Sequence, residues 1–196
     1  MATERTDAQV YLQPERQADL TSEDAFRWIL VNEGIVDEEV LAETPRRWIN
    51  ALKDALACDC DAWKFTTFES DSDEMVIVKN IDFTTLCAHH LLPFFWRAHV
   101  AYIPQGKVAG LSKLARSVRT ACKGLWSQEE LTRRIADELE EVLGPMGVAV
   151  VLEAEHTCMT TRGVRAPDSK TTTSAMLGVF RDNTNNARAE FLSLMR

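Results

Sequence analysis

Apolar residues recur every three or four positions in some stretches of this chain and crowd together with β-branched and aromatic residues in others. The switch between these two patterns divides the sequence into elements. "TSEDAFRWILVNEG" opens with Thr21 or Ser22 as a cap, carries acids in its first turn and stops at Gly34, so it predicts a helix. "VDEEVLAETPRRWINALKDALA" predicts a second helical stretch interrupted near Pro45, with the main helix starting around Thr44 because proline is tolerated in a first turn. "LSKLARSVRTAC" has helical spacing, with Leu111, Leu114, Ala115 and Val118 on one face. In "SQEELTRRIADELEEVLG" the stripe is Leu131, Ile135, Leu139 and Val142, and Gly144-Pro145 ends the helix. "NARAEFLSLMR" reads as a short terminal helix.

Four stretches read as strands: "MVIVKNIDFTTL", "FFWRAHVAYIP", "GVAVVLEAEHTC" and "TTTSAMLGVF". Acidic "ESDSDEM" between Glu69 and Met75 reads as a solvated loop. The order is two helices, two strands, two helices, two strands and a helix. That order predicts an α+β fold, a mostly antiparallel sheet with helices packed on one face. A sheet with an uncovered face and open edges calls for oligomerisation. Residues 1–20 read as a flexible arm, 21–68 as an N-terminal helical segment and 69–196 as the main domain.

Composition narrows the function classes. The chain has 196 residues with 22 basic and 30 acidic side chains, a formal charge of 22 − 30 = −8. A net acidic protein argues against a general nucleic-acid or membrane-surface binder. No apolar run reaches the roughly 18–20 residues that span a bilayer, and the polar N-terminus has no signal-peptide core, so a cytoplasmic location is expected. Five cysteines in a chain of this size favour reduced thiols, some of them metal ligands, over a disulfide framework.

The four histidines are His89, His90, His99 and His156, and three of them lie next to cysteines. Cys87 and His90 have the C-x-x-H spacing of two ligands of one zinc ion, and Cys158 offers a third. Two thiolates and an imidazole favour Zn²⁺ over hard cations. His89 and His156 would then be free imidazoles beside the metal, suited to moving protons. A C-x-x-H match alone is weak, and spacing leaves a catalytic site and a chance pair about equally open. "GLSKLAR" starts a helix after Gly110, with Ser112 as a cap and Lys113 and Arg116 on one face. This is an anion site or, more plainly, a solvated basic face. Arg162, Arg165 and Lys170 follow Cys158 closely, and basic groups around a metal site point to an anionic substrate such as a phosphate ester. His99, in an apolar strand, reads as structural, and Cys122 as a packed thiol. Cys58 and Cys60 lack a partner pattern, and Trp28, Trp48 and Trp63 read as helix packing.

"CAHHLLPF", "AYIPQGKVAGLSKLAR", "SQEELT", "GVAVVLEAEHTCM" and "TRGVRAPDSKTTTSAMLGVF", in this order and spacing, resemble the GTP cyclohydrolase I family. The resemblance runs from about Thr44 to the C-terminus. It implies the tunnelling fold, with 69–196 as the catalytic domain. It also implies a toroidal homodecamer with active sites between subunits. The implied reaction converts GTP and water to formate and 7,8-dihydroneopterin triphosphate, a first step toward tetrahydrofolate or 7-deazaguanine compounds. By position, Cys87, His90 and Cys158 match the zinc ligands. His89 matches the group that protonates N7 while water attacks C8 of guanine, and His156 matches the second catalytic histidine. Ser112 matches a residue of the ribose rearrangement, Gln128 and Glu129 match the readers of the guanine edge, and Lys113, Arg116, Arg162 and Arg47 match triphosphate contacts. Two places depart from the family pattern: Ala88 stands where glutamate is usual, and residues 124–127 read "GLWS". They leave a non-catalytic GTP-binding relative, or a cyclohydrolase of altered nucleotide preference, as the alternative reading.

Overall fold

The structure is a computed structural model that describes residues 20–57, 64–182 and 186–195. The expected arm, Cys58, Cys60 and Trp63 lie outside the described residues. Residues up to Asp54 form one unit and residues from Ala55 onward a second.

The first unit contains α1 (Ser22–Asn32) and most of α2 (Glu38–Leu56). Thr21 caps α1 in a reciprocal box with Asp24, as its sequence predicts. The helix breaks at Gly34, where φ is +86°. Pro45 does not restart α2 as expected; it lies inside one continuous helix. Proline removes the amide that would have bonded to the carbonyl four residues back. That carbonyl belongs to Leu41, and Arg27 Nε of α1 donates to it at 3.0 Å, so the acceptor is satisfied and the helix continues. Phe26 stacks on Trp48 at 4.2 Å between centroids.

In the second unit, β1 (Thr67–Glu69) pairs with β4 (Lys107–Ala109) in a small antiparallel ribbon, so Glu69 ends a strand that the sequence reading assigned to loop. The main sheet has the order β5-β2-β3-β6-β7, with β2 at Val76–Cys87, β3 at Pro93–Ile103, β5 at Leu125–Trp126, β6 at Gly147–His156 and β7 at Thr171–Met176. Its pairs are antiparallel except β2 with the two-residue β5, which is parallel. Two residues cannot carry an alternation signal, which is why β5 escapes a pattern-based reading.

Successive residues of a strand face opposite sides of the sheet. Ala98, Val100, Tyr102, Val148, Val150 and Leu152 join Leu114 and Val118 of α3 (Leu111–Ala121) and Leu131, Ile135, Leu139 and Leu143 of α4 (Gln128–Leu143) in the main core. The α4 stripe therefore ends on Leu143, while Val142 is exposed, because spacing by four keeps the row on the sheet. Leu111 is likewise exposed. Ala101, Ala149 and Val151 face the other side, where Phe180 and Phe191 cover them, the latter from α6 (Ala187–Leu194). Helical structure thus packs on both faces rather than on one. Gly144 closes α4 in the left-handed conformation, φ +55°. Among the described residues no helix is long and apolar enough to cross a membrane.

Candidate metal and catalytic site

β2 runs straight into the site. Its last residue, Cys87, is buried, and its carbonyl accepts from the amides of His90 at 3.3 Å and Leu91 at 2.9 Å. This tight turn throws His89 and His90 to the same end of the strand as the Cys87 thiol. Leu91 sits at φ +54°, a conformation that bulky residues rarely adopt, so the turn is held by its surroundings rather than by preference. The Ala88 amide donates to the Trp126 carbonyl at 3.0 Å, and β5 thereby braces the turn from outside.

The second wall comes from β6. Its strand ends at His156, and Cys158 lies in a single helical turn, α5 (Thr157–Thr160), not in the strand as expected. The Thr157 hydroxyl donates to the Pro93 carbonyl at 2.7 Å and ties this turn to the start of β3. Ligand atoms of Cys87, His90 and Cys158 all lie within 4.8 Å of one another. Cys87 Sγ is 3.7 Å from His90 Nδ1. Two such ligands at tetrahedral zinc stand about 3.5 Å apart, from bond lengths of about 2.3 Å to sulfur and 2.0–2.1 Å to nitrogen. The donor set fits a zinc ion. Burial, and then the neighbouring Cys87, push the Cys158 thiol above its ordinary range, while Arg162 pulls the other way. A zinc ion held by these residues would favour the thiolate form of Cys158 and offset that effect.

His89 Nδ1 lies 3.8 Å from Cys87 Sγ, and its ring stands edge-on to His90 with centroids 6.2 Å apart. His156 is held differently. Its ring stacks on Phe94 at 4.4 Å and 6°, and its Nε2 lies 2.8 Å from Gln128 Oε1. Burial, opposed by the Glu129 charge, holds the His156 pKa below its ordinary value.

Gln128, matched to the guanine edge from sequence, is 2% exposed and turns its side chain inward. Its amide nitrogen lies within hydrogen-bond distance of Leu152 O, Thr171 O and Thr173 Oγ1, at 3.0–3.1 Å. Gln128 sits on the same helical stripe as Thr132, Ala136 and Leu139, and that spacing was the available signal for its burial. Glu129, the next residue, is exposed and lines an open groove of ≈ 650 Å³ with Trp126 and Arg134, whose guanidinium lies 4.7 Å over the Trp126 ring.

The basic groups are spread more widely. Lys113 and Arg116 stand on the first turns of α3, and Arg162 is exposed just beyond Cys158. Ser112 does not cap α3; Gly110 holds the cap position, and Ser112 is the second helical residue with its backbone already in the helix. Among the described residues no hydrogen bond ties Ser112 or Arg116 to the cysteine cluster. Arg47, in the first unit, lies 3.4 Å from Glu43.

A model of the GTP cyclohydrolase I family matches residues 22–196, nearly the whole described chain. The chain belongs to the GTP cyclohydrolase I family. Curated relatives include "GTP cyclohydrolase 1 2" of Pseudomonas aeruginosa, 47% identical over 169 residues, with 82% of this chain and 91% of the relative covered. "GTP cyclohydrolase 1" of Brevibacillus brevis is 48% identical over 164 residues, covering 82% and 87%. "GTP cyclohydrolase 1" of Alkalilimnicola ehrlichii is 49% identical over 179 residues, covering 89% and 96%. A crystal structure of the apo archaeosine synthase QueF-Like aligns with 56% of this chain at 18% identity and a TM-score of 0.45, too low a likeness to carry an argument.

Proposed function

We propose that this protein is a zinc-dependent GTP cyclohydrolase I that converts GTP and water to formate and 7,8-dihydroneopterin triphosphate. The observation that carries the reading is the Cys87–His90–Cys158 donor cluster, flanked by two further imidazoles, in a chain of this family. A zinc ion held by those three side chains supplies Lewis acidity and makes hydroxide available near neutral pH. A reducing, cytoplasmic setting suits the site, because its cysteines must remain thiols.

The remaining chemistry falls to the chain's own residues. His89 protonates guanine N7 as C8 is hydrated, which opens the imidazole ring. A second hydrolysis releases formate. His156 moves protons on the opposite side of the substrate, and Ser112 serves the ribose rearrangement. The Glu129 carboxylate accepts hydrogen bonds from N1–H and the 2-amino group, donors that adenine lacks. With the Gln128 side chain engaged inside the fold, edge recognition rests on Glu129. Lys113, Arg116, Arg162 and Arg47 hold the triphosphate.

These groups converge in an assembly, the toroidal homodecamer of tunnelling-fold subunits with sites between neighbours. Open sheet edges support this: among the described residues, β7 has no partner on its outer side, and β2 has none beyond its pairing with β5 at Leu86 and Cys87. The test is direct. Zinc-loaded protein is incubated with GTP while formate and dihydropterin absorbance are followed. Both products are expected; bound zinc and bound GTP without formate would remove the reading in favour of a non-catalytic relative.

A further inference from the structure

The hydrogen-bond chain around Gln128 has only one consistent direction, and it ends on His156. The Thr132 hydroxyl donates to the Gln128 backbone carbonyl at 2.6 Å. Thr132 Oγ1 lies 2.6 Å from Thr173 Oγ1; with its own proton used, Thr132 accepts here and Thr173 donates. Thr173 Oγ1 is then left to accept from the Gln128 side-chain amide, 3.1 Å away. Two backbone carbonyls, Leu152 O at 3.1 Å and Thr171 O at 3.0 Å, face the same nitrogen and can only accept. All three neighbours require the –NH₂ end of Gln128 at that position, which fixes the amide orientation. The oxygen end therefore faces His156 Nε2 at 2.8 Å, and a carbonyl oxygen takes only a donor.

We propose that Gln128 is a positioning residue: it holds the His156 ring as the Nε2–H tautomer, so that Nδ1 is the ring nitrogen left open to the site. This deepens the proposed function and rests on the reading of His156 as a site residue. Phe94, stacked flat on the ring, keeps the imidazole in the plane that this bond requires. The centre of the network is buried, with Gln128 2% exposed, Thr132 1% and Phe94 0%, while Thr171, Thr173 and His156 are half-buried. Two N–H donors face three acceptors here, whereas a reversed amide would set its oxygen against two carbonyls and leave His156 facing –NH₂. Both polar ends of the Gln128 side chain are engaged within the fold, its nitrogen by three acceptors and its oxygen by His156, which favours a positioning role over reading a substrate edge.

The test reads the tautomer directly and separately from turnover. Raman difference spectra of zinc-loaded full-length protein, wild type minus His156→Asn at mildly alkaline pH, isolate the tautomer-sensitive ring stretch of His156. The Nε2–H form is expected, and the Nδ1–H form overturns the proposal whatever the variants do. Gln128→Met removes both polar ends at nearly constant volume. It is expected to lose the Nε2–H signature and to lower kcat about 10–100-fold with little change in the KM for GTP. Gln128→Glu keeps an acceptor for Nε2–H and, as the neutral acid, a donor for the carbonyls; it is expected to restore the signature and most of kcat. A raised KM with unchanged kcat in the Met variant would make Gln128 a base reader and overturn the proposal. Failure of wild type to form formate would remove the proton-transfer reading while leaving the tautomer result to be read by itself.

Discussion

The two walls of the site hold their histidines by opposite means. In the turn after β2, His89 and His90 are exposed, their neighbours are each other and a thiol, and the backbone passes through a left-handed leucine. At the end of β6, His156 is half-buried, stacked on a phenylalanine and bonded to a glutamine whose other end is already engaged. The exposed His89 and His90 have few protein partners beyond the Cys87 thiol, and His90 would share an ion with Cys87 and Cys158. His156 is fixed by protein side chains. The largest effect therefore comes from losing the shared ion. Cys87→Ser or Cys158→Ser is expected to abolish zinc retention, measured by elemental analysis, and to bring formate production to background. Circular dichroism should stay unchanged, because neither thiol holds the sheet together.

His89→Ala sharpens the contrast. It removes a proton donor without touching a metal ligand, so zinc content should hold while kcat falls about 10²–10⁴-fold, the usual worth of general acid catalysis. A variant that lost zinc as well would place His89 among the ligands. The β6 wall responds differently. Thr132→Val leaves the metal and the exposed turn alone but takes away the hydroxyl that orients Thr173 and accepts its proton. The expected cost is about 1–3 kcal/mol of stability, the penalty for buried partners left unpaired, read as a shift in the denaturant midpoint. The same change in the exposed turn, where water replaces lost partners, would cost far less.

Sequence pattern exposed the turn wall more fully than the buried one. Cys87, His90 and Cys158 announce themselves by residue type and spacing, and the structure gathers their ligand atoms within 4.8 Å. Most helices and strands followed from periodicity and caps, because Thr21, Gly34 and Gly144 act locally. What escaped was non-local. Continuity of α2 through Pro45 depends on Arg27, fourteen residues before the Leu41 carbonyl it satisfies. The packing of α6 on the second face depends on Ala101, Ala149 and Val151 presenting a small apolar patch there. The inward turn of Gln128 depends on carbonyls of β6 and β7, which only the folded register brings beneath α4.

His99 gives the smallest effect and a control on His156, since it lies on the adjacent strand and faces the side of the sheet away from the main core. Its Nδ1 accepts from the Asn80 amide at 3.4 Å, in a bulge of β2 where Asn80 takes φ +59°. Burial holds its pKa below the ordinary 6.5; the Glu153 charge opposes this, and Lys79 and Arg97 add to it. Below pH 6.5 the unfolded chain takes up a proton at this position more readily than the folded one. The unfolded state then binds more protons, so stability rises with pH across that window. The His99 contribution is full above the unfolded value and is lost as pH falls through the folded one. His99→Gln keeps an acceptor for Asn80 but cannot titrate. In urea titrations from neutrality downward, the variant should lose less stability than wild type, and the other histidines and the carboxylates, common to both proteins, should largely cancel in the difference. Equal losses in the two proteins would mean that His99 takes up its proton as readily folded as unfolded, and that burial on this face does not govern its charge.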